Sequence, residues 1–203
     1  MNYELNLDVD GVFADYEGEY KRLTGGDPSE KGKIKAMRFR NFPHFYRNLP
    51  LMPDAMKLWT YCKPLNPNFL TAHSNYLPSS TEDKKQWLEQ HFHVTGHRVI
   101  VVPYPTDKPK YAGPNKILVD DNAKTCWAWE HAGGIAIHHV SVDDTIRRLK
   151  VIYGHSEATH VIETLEAIHD TQNVVEAFQE LPGRLETDCP NVIKALSEIE
   201  QMD

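Results

Sequence analysis

The chain has 203 residues, 25 % of them charged, with 22 lysines and arginines against 29 aspartates and glutamates and a net charge of −7. That length accommodates one substantial domain with an insertion and buries a normal core without staples. The acidic balance argues against a general nucleic-acid surface, although a local site of lysine and divalent cation still admits an anionic substrate.

The first predicted element is a strand over residues 4–9. It is an apolar β-type run that ends in Asp8-Val9-Asp10-Gly11, followed at once by Val12 and Phe13. Side chains alternate along a strand, and Gly11 permits the chain to turn just past its end. Asp8 and Asp10 can then both face a pocket at the carboxyl end of the strand, where open α/β sheets bind ligands. Two carboxylates held close repel each other and call for a cation, most simply Mg²⁺, and one of them could serve as a nucleophile on phosphorus. A calcium loop of the EF-hand type would need further acids where Val12, Phe13 and Ala14 stand. An isolated Asp-x-Asp-Gly could also be a plain solvated turn, a reading that the rest of the chain disfavours.

Residues 13–53 depart from the strand–helix rhythm. They are charged (Lys31, Lys33, Lys35, Arg38, Arg40) and aromatic (Phe39, Phe42, Phe45, Tyr46), the composition of a small helical cap inserted after the first strand. Its aromatics could give a base or sugar a flat apolar face, with Arg38, Arg40 and Arg47 as cationic contacts; most of the rings are expected to pack the cap's own core. A helix over 54–61 returns to the core. Asn68-Phe69-Leu70-Thr71-Ala72-His73-Ser74 reads as a strand over 68–71 whose terminal hydroxyl and free N–H groups suit a phosphate oxygen. A helix over 81–92 is opened by the cap-like run Ser80-Thr81-Glu82-Asp83.

Short apolar strands follow at Val99–Val102 and Ile117–Val119. Between them lies Pro105-Thr106-Asp107-Lys108-Pro109-Lys110-Tyr111-Ala112, and the second strand runs into Asp120-Asp121-Asn122. A helix over 125–131, a final strand over 135–137 and a helix over 141–151 complete the pattern, which implies a parallel sheet flanked by helices. Farther on, helices are predicted over 158–168, 174–181 and 191–202, in a tail that either packs on the core or makes a dimer contact.

Strand-end Asp, strand-end Thr, a lysine and strand-end Asp-Asp supply a nucleophile, an anion cradle, a fixed cation and a metal anchor, the parts of a phosphoryl-transfer site. The eleven histidines also raise a zinc site, with His91, His93 and His97 close in sequence and His138-His139 adjacent. No cysteine lies near enough to complete a set, and ordinary surface or hydrogen-bonding histidines are favoured. His73 either contacts substrate or is a partly exposed polar loop residue.

Asp8-Val9-Asp10-Gly11-Val12-Phe13-Ala14-Asp15, Phe69-Leu70-Thr71-Ala72, Lys108 with Tyr111-Ala112, and Ile117-Leu118-Val119-Asp120-Asp121 together resemble the haloacid-dehalogenase (HAD) superfamily of phosphatases. Within it they are similar to the 5′(3′)-deoxyribonucleotidases and their phage and bacterial relatives, as are the stretches from Phe45 to Pro53 and from Gly133 to His139. The likeness covers about residues 3–153. It implies a Rossmann-like α/β core (1–12 and 54–153), the helical cap (13–53) and, outside the likeness, a helical C-terminal extension (154–203).

The resemblance also implies roles. Asp8 would attack phosphorus and carry the phosphoryl group, and Asp10 would protonate the leaving oxygen and then deprotonate water. Thr71 and the Ala72 N–H would hold the transferring group. Lys108 would bridge Asp8 and the phosphate, with Lys110 as runner-up, and Lys84 is a further candidate phosphate contact. Mg²⁺ would be held by Asp8, the Asp10 carbonyl, Asp120 and Asp121. The segment Thr71-Ala72-His73-Ser74 departs from the Thr-Ser-Pro of several family members.

The expected activity is hydrolysis of a small phosphomonoester, a nucleoside monophosphate first. Another small phosphate, or a catalytically silent binding protein of the same fold, is the alternative. No membrane contact is expected, a homodimer is possible, and the expected location is a cytoplasm, a host's if the chain is viral. The chain enters its first strand almost directly, so a cleavable leader would have to remove catalytic sequence.

Overall fold

The computed structural model describes residues 3–154. Five strands, β1 (Glu4–Leu7), β2 (Asn68–Ala72), β3 (Val99–Val102), β4 (Lys116–Asp120) and β5 (Ile135–His138), form one sheet in the order β3-β2-β1-β4-β5. Every pairing is parallel, with Leu7 beside both Phe69 and Val119, Ala72 beside Val102, and Asp120 beside His138. A parallel sheet is covered on both faces, so its strands read as near-continuous apolar runs. Accordingly Leu5 and Leu7 are buried, as are Ile117, Leu118 and Val119, and the polar Asn6 buried between the two leucines donates through Nδ2 to the Ile117 carbonyl at 3.4 Å. The chain leaves β1 for β2 and β3 on one side and returns for β4 and β5 on the other. The topological switch therefore falls between β1 and β4, at whose carboxyl ends a ligand crevice is expected.

Helices α3 (Ala55–Cys62), α4 (Ser80–Phe92) and α5 (Ala123–His131) connect the strands, and a further helix, α6, begins at residue 142. Aromatic packing fills the space around β2: Phe69 stacks on Phe92 at 5.6 Å, Trp59 lies 4.9 Å from Phe92, and Phe13 meets Phe69 edge-on at 5.5 Å. Leu70, Val102, Leu118 and Trp129 form a second apolar cluster.

The predicted first strand is two residues too long. Asp8 N–H still bonds the Val119 carbonyl at 2.9 Å, but the N–H groups of Phe13 and Ala14 then both turn back to the Val9 carbonyl at 2.9 Å, closing a tight loop. Gly11 sits in that loop at φ +75°.

Residues 13–53 contain two helices, α1 (Tyr16–Thr24) and α2 (Gly32–Phe39). Asp15 caps α1 by accepting the Gly18 N–H at 2.8 Å. The two ends of this stretch are tied together, Asp15 N–H to the Pro50 carbonyl at 2.9 Å and Met52 N–H to the Phe13 carbonyl at 2.7 Å. Glu30 joins the helices by accepting from Arg38 at 2.6 Å and from the Tyr20 hydroxyl at 3.0 Å. Among the described residues no helix is long and apolar enough to cross a membrane. The helices expected over 158–168, 174–181 and 191–202 lie outside the described residues.

Candidate active site

Two strand ends and one short 3₁₀ segment build the centre of the site. Asp8 follows β1, Asp120 closes β4, and Lys108 comes from the 3₁₀ stretch Pro105–Tyr111. The Lys108 Nζ lies 2.8 Å from Asp8 Oδ1 and 2.6 Å from Asp120 Oδ2, and all three side chains are buried. Burial alone would depress the lysine's pKa, but the adjacent charges of Asp8 and Asp120 more than offset it and hold the ammonium above its ordinary range. The second Asp120 oxygen accepts the Asn122 N–H at 2.9 Å, which fixes the carboxylate plane.

Asp121 completes an acidic group. One carboxylate oxygen each from Asp8, Asp120 and Asp121 lies within 4.8 Å of the others. Burial, then the charge of Asp8, pushes the Asp120 carboxyl up. Asp121 is exposed at the mouth of the group, and partial desolvation, then the charges of Asp8 and Asp120, push its carboxyl up to about 7. Three crowded carboxylates with one ammonium among them form a hard-oxygen donor set of surplus negative charge, which fits Mg²⁺. Gly11 makes room for it: a Cβ there would stand 2.1 Å from Asp121 Oδ2.

Asp10 occupies a separate corner. Its Oδ2 is 2.7 Å from Lys84 Nζ, while its Oδ1 is buried without a hydrogen-bond partner. Burial raises its pKa, Lys84 opposes this, and Asp8 adds to it. Lys84 also donates to Thr71 Oγ1 at 3.0 Å and to the Ala72 carbonyl at 2.7 Å. An ammonium has three N–H groups, so Lys84 is saturated by protein acceptors. In this structure Lys84 joins Asp10 to Thr71, and a direct phosphate contact would displace one of these partners.

Other expected residues lie elsewhere. Lys110 is exposed and paired with Asp107 at 2.6 Å, because successive side chains of the 3₁₀ segment diverge and Lys108 is the one turned inward. His73 bonds through Nδ1 to the Ser80 and Thr81 hydroxyls at 2.8 and 3.0 Å, so it shapes the loop between β2 and α4. His91 packs on Trp87 with ring centres 4.6 Å apart, and His93 terminates α4 in the left-handed region. The His138 Nε2 is 2.9 Å from the Asp121 carbonyl oxygen, and His139 Nδ1 is 2.8 Å from Thr145 Oγ1.

The aromatic residues of 13–53 are largely packed on one another. Phe39 and Phe45 are buried with ring centres 5.1 Å apart. Arg38 is taken up by Glu30 and Arg47 by Asp83, whereas Arg40 is exposed. Two tyrosines border Asp10: burial and then the charge of Asp10 raise the pKa of both Tyr16 and Tyr46. Their rings stack at 6.0 Å, and Lys84 Nζ lies 4.8 Å from the Tyr46 ring centre. Lys35 is enclosed by the rings of Tyr16, Tyr20 and Tyr76 at 5.3, 5.1 and 5.8 Å. Sequence reasoning did not single out Tyr16 or Tyr76, and it read Lys35 only as one of the charges of residues 13–53 and Asp83 only as part of a helix-opening run. The one available signal was the helical i, i+4 spacing of Tyr16 and Tyr20 directly after the acidic motif.

No protein-family model matches the chain, and no curated protein does. Among solved structures, a hydrolase from Streptococcus pneumoniae TIGR4 is similar at 13 % identity and TM-score 0.46, covering 74 % of this chain and all of that one. A HAD hydrolase, family IA, variant 3, from Entamoeba histolytica is similar at 16 % identity and TM-score 0.39, covering 71 % of this chain and 88 % of that one. CbbY from Rhodobacter sphaeroides, solved in complex with phosphate, is similar at 13 % identity and TM-score 0.43, covering 67 % of this chain and 85 % of that one.

Proposed function

We propose that the chain is a Mg²⁺-dependent phosphomonoesterase of the HAD type that hydrolyses nucleoside monophosphates through an aspartyl-phosphate on Asp8. The observation that carries this reading is the shared ammonium: Lys108 Nζ stands 2.8 Å from Asp8 and 2.6 Å from Asp120, beside the three-carboxylate group. A buried carboxylate next to a fixed cation is a nucleophile that an anionic ester can approach, because the cation offsets their mutual repulsion.

In this reading an Asp8 carboxylate oxygen attacks phosphorus and the ester P–O bond breaks. Asp10, whose carboxyl burial biases toward the protonated form, gives its proton to the leaving oxygen. Asp10 then takes a proton from water, the water oxygen attacks the aspartyl-phosphate, and inorganic phosphate leaves with the Asp8 carboxylate restored. Thr71, oriented by Lys84, and the Ala72 N–H hold the phosphoryl oxygens. Asp8, Asp120, Asp121 and the Asp10 carbonyl would hold Mg²⁺, which when bound supplies charge neutralisation and fixes a phosphoryl oxygen. Residues 13–53 act as the cap, with the half-buried Tyr16 beside Asp10 on the side of the leaving nucleoside and the buried Tyr46 behind it.

The test is phosphate release from the full set of ribo- and deoxyribonucleoside monophosphates, with p-nitrophenyl phosphate and sugar phosphates alongside. Release that needs Mg²⁺, stops with EDTA and favours nucleotides supports the reading. Preference for a sugar phosphate would move the substrate class. No release from any ester in Mg²⁺ would remove the phosphatase assignment.

A further inference from the structure

Asp83 is a fully buried carboxylate that takes no part in the chemistry above. It precedes Lys84 on α4, and the two side chains leave the helix in different directions. Lys84 reaches Asp10, Thr71 and Ala72. Asp83 reaches the segment 43–49 that leads from α2 back to the core. Its Oδ1 lies 3.0 Å from His44 Nδ1 and 3.1 Å from Arg47 Nη2. Its Oδ2 lies 2.8 Å from the Ser79 hydroxyl, which is also 2.5 Å from the Pro43 carbonyl and has one proton to serve them in turn. At the far end of the segment the Trp87 indole N–H donates to the Leu49 carbonyl at 2.8 Å.

The segment is thus strapped to α4 along its length, and the strap carries Tyr46. The Tyr46 ring lies under the Lys84 ammonium, and its hydroxyl feels the charge of Asp10. Asp83 is fully enclosed, whereas the Arg47 and His44 side chains that meet it are 36 % and 51 % exposed. The Arg47 Nε is buried without a partner. An enclosed carboxylate persists where it is paired and hydrogen-bonded, and such pairing can add a defined geometry. Here the geometry so defined is that of Tyr46 against Lys84, and through Lys84 that of Asp10.

We propose that Asp83 is a positioning residue: by holding His44 and Arg47 it presses Tyr46 onto Lys84 and so aims the acid–base carboxylate Asp10. The proposal rests on the phosphatase reading for its kinetic half only.

The experiment uses the full chain with Asp83→Asn, Tyr46→Leu, the double variant, and Arg47→Met as a milder break from the strap side. Hydrogen exchange over residues 43–49 and phosphomonoester kinetics in Mg²⁺ are both read. Exchange in 43–49 should quicken in Asp83→Asn and Arg47→Met. The kcat of Asp83→Asn should fall by on the order of a hundredfold, the loss that a misplacement of about 1 Å can cause. The double variant should be no slower than Tyr46→Leu alone, because Asp83 acts through Tyr46. Unchanged exchange in both strap variants, an unchanged kcat, or strictly additive losses would each overturn the proposal. If the wild type releases no phosphate from any ester, the phosphatase reading falls, while exchange still decides whether Asp83 holds the strap.

Discussion

Replacing Lys108 with methionine probes the centre of the site more directly than any other change. Lys108 is 2 % exposed, and its ammonium serves Asp8 and Asp120 at once. Methionine keeps the bulk and removes the charge, leaving two buried carboxylates beside Asp121 with no cation. Breaking a buried ion pair from one side costs about 3–5 kcal/mol. With a urea slope of about 2 kcal/mol per molar for a domain of this size, the unfolding midpoint should fall by about 2 M.

The loss must depend on pH. Carboxyls whose folded pKa is raised bind protons that the unfolded chain does not, in the window between the unfolded value of about 4 and the folded value, which reaches about 7 at Asp121. Stability therefore rises as pH falls through that window. The gap between variant and wild type should be largest near pH 8 without metal, narrower near pH 5, and narrower in excess Mg²⁺. Trp59, Trp87 and Trp129 are buried, so tryptophan fluorescence can follow the transition. Equal midpoints for variant and wild type at pH 8 without metal would refute the idea that this ammonium holds the two carboxylates together.

Asp8→Asn should lower turnover by on the order of 10⁴–10⁶, as loss of a covalent nucleophile does, while shifting the urea midpoint far less than Lys108→Met; near-normal rates would remove Asp8 as nucleophile. Gly11→Ala combines a φ of +75° with a Cβ 2.1 Å from Asp121 Oδ2. It should cost about 1–2 kcal/mol and displace that carboxylate, weakening Mg²⁺ binding by about tenfold or more; unchanged calorimetric affinity would contradict the role of Asp121 as a ligand. Without metal the raised carboxyls of Asp120 and Asp121 should contribute stability that grows as pH falls from about 7 toward about 4, against the opposite contribution of the lowered Glu19, Glu30 and Asp107 carboxyls and the lowered His91 and His139 imidazoles. Saturating Mg²⁺ should flatten this trend, and a metal-independent profile would count against a shared cation site.

Local order makes much of the core legible in the sequence. Largely apolar runs of strand length, leading into Asp8, Thr71 or Asp120, mark the parallel strands and the edge at which their polar termini gather, because burial on both faces disfavours polar residues within a strand, with Asn6 the exception in β1. Gly11 marks the turn for the same kind of reason, since a positive φ and the lack of space for a Cβ are both local demands. The boundary of β1 was less legible, because Val9 continues the apolar pattern while its carbonyl is already committed to closing the loop.

The choice among the lysines belonged to tertiary structure. Lys108 and Lys110 are chemically alike and two positions apart, and only the path of the 3₁₀ segment against β4 turns one toward Asp120 and the other toward Asp107. Lys84 could not be placed from sequence either, because its three acceptors come from the loop after β1 and from β2. The meeting of Tyr16 with Tyr46, and of Asp83 with Arg47, likewise joins segments about thirty or more residues apart. Strand and turn identities follow from interactions within a few residues, whereas a buried charge finds its partner only when packing closes the long loops between them, and that closure is a property of the whole chain.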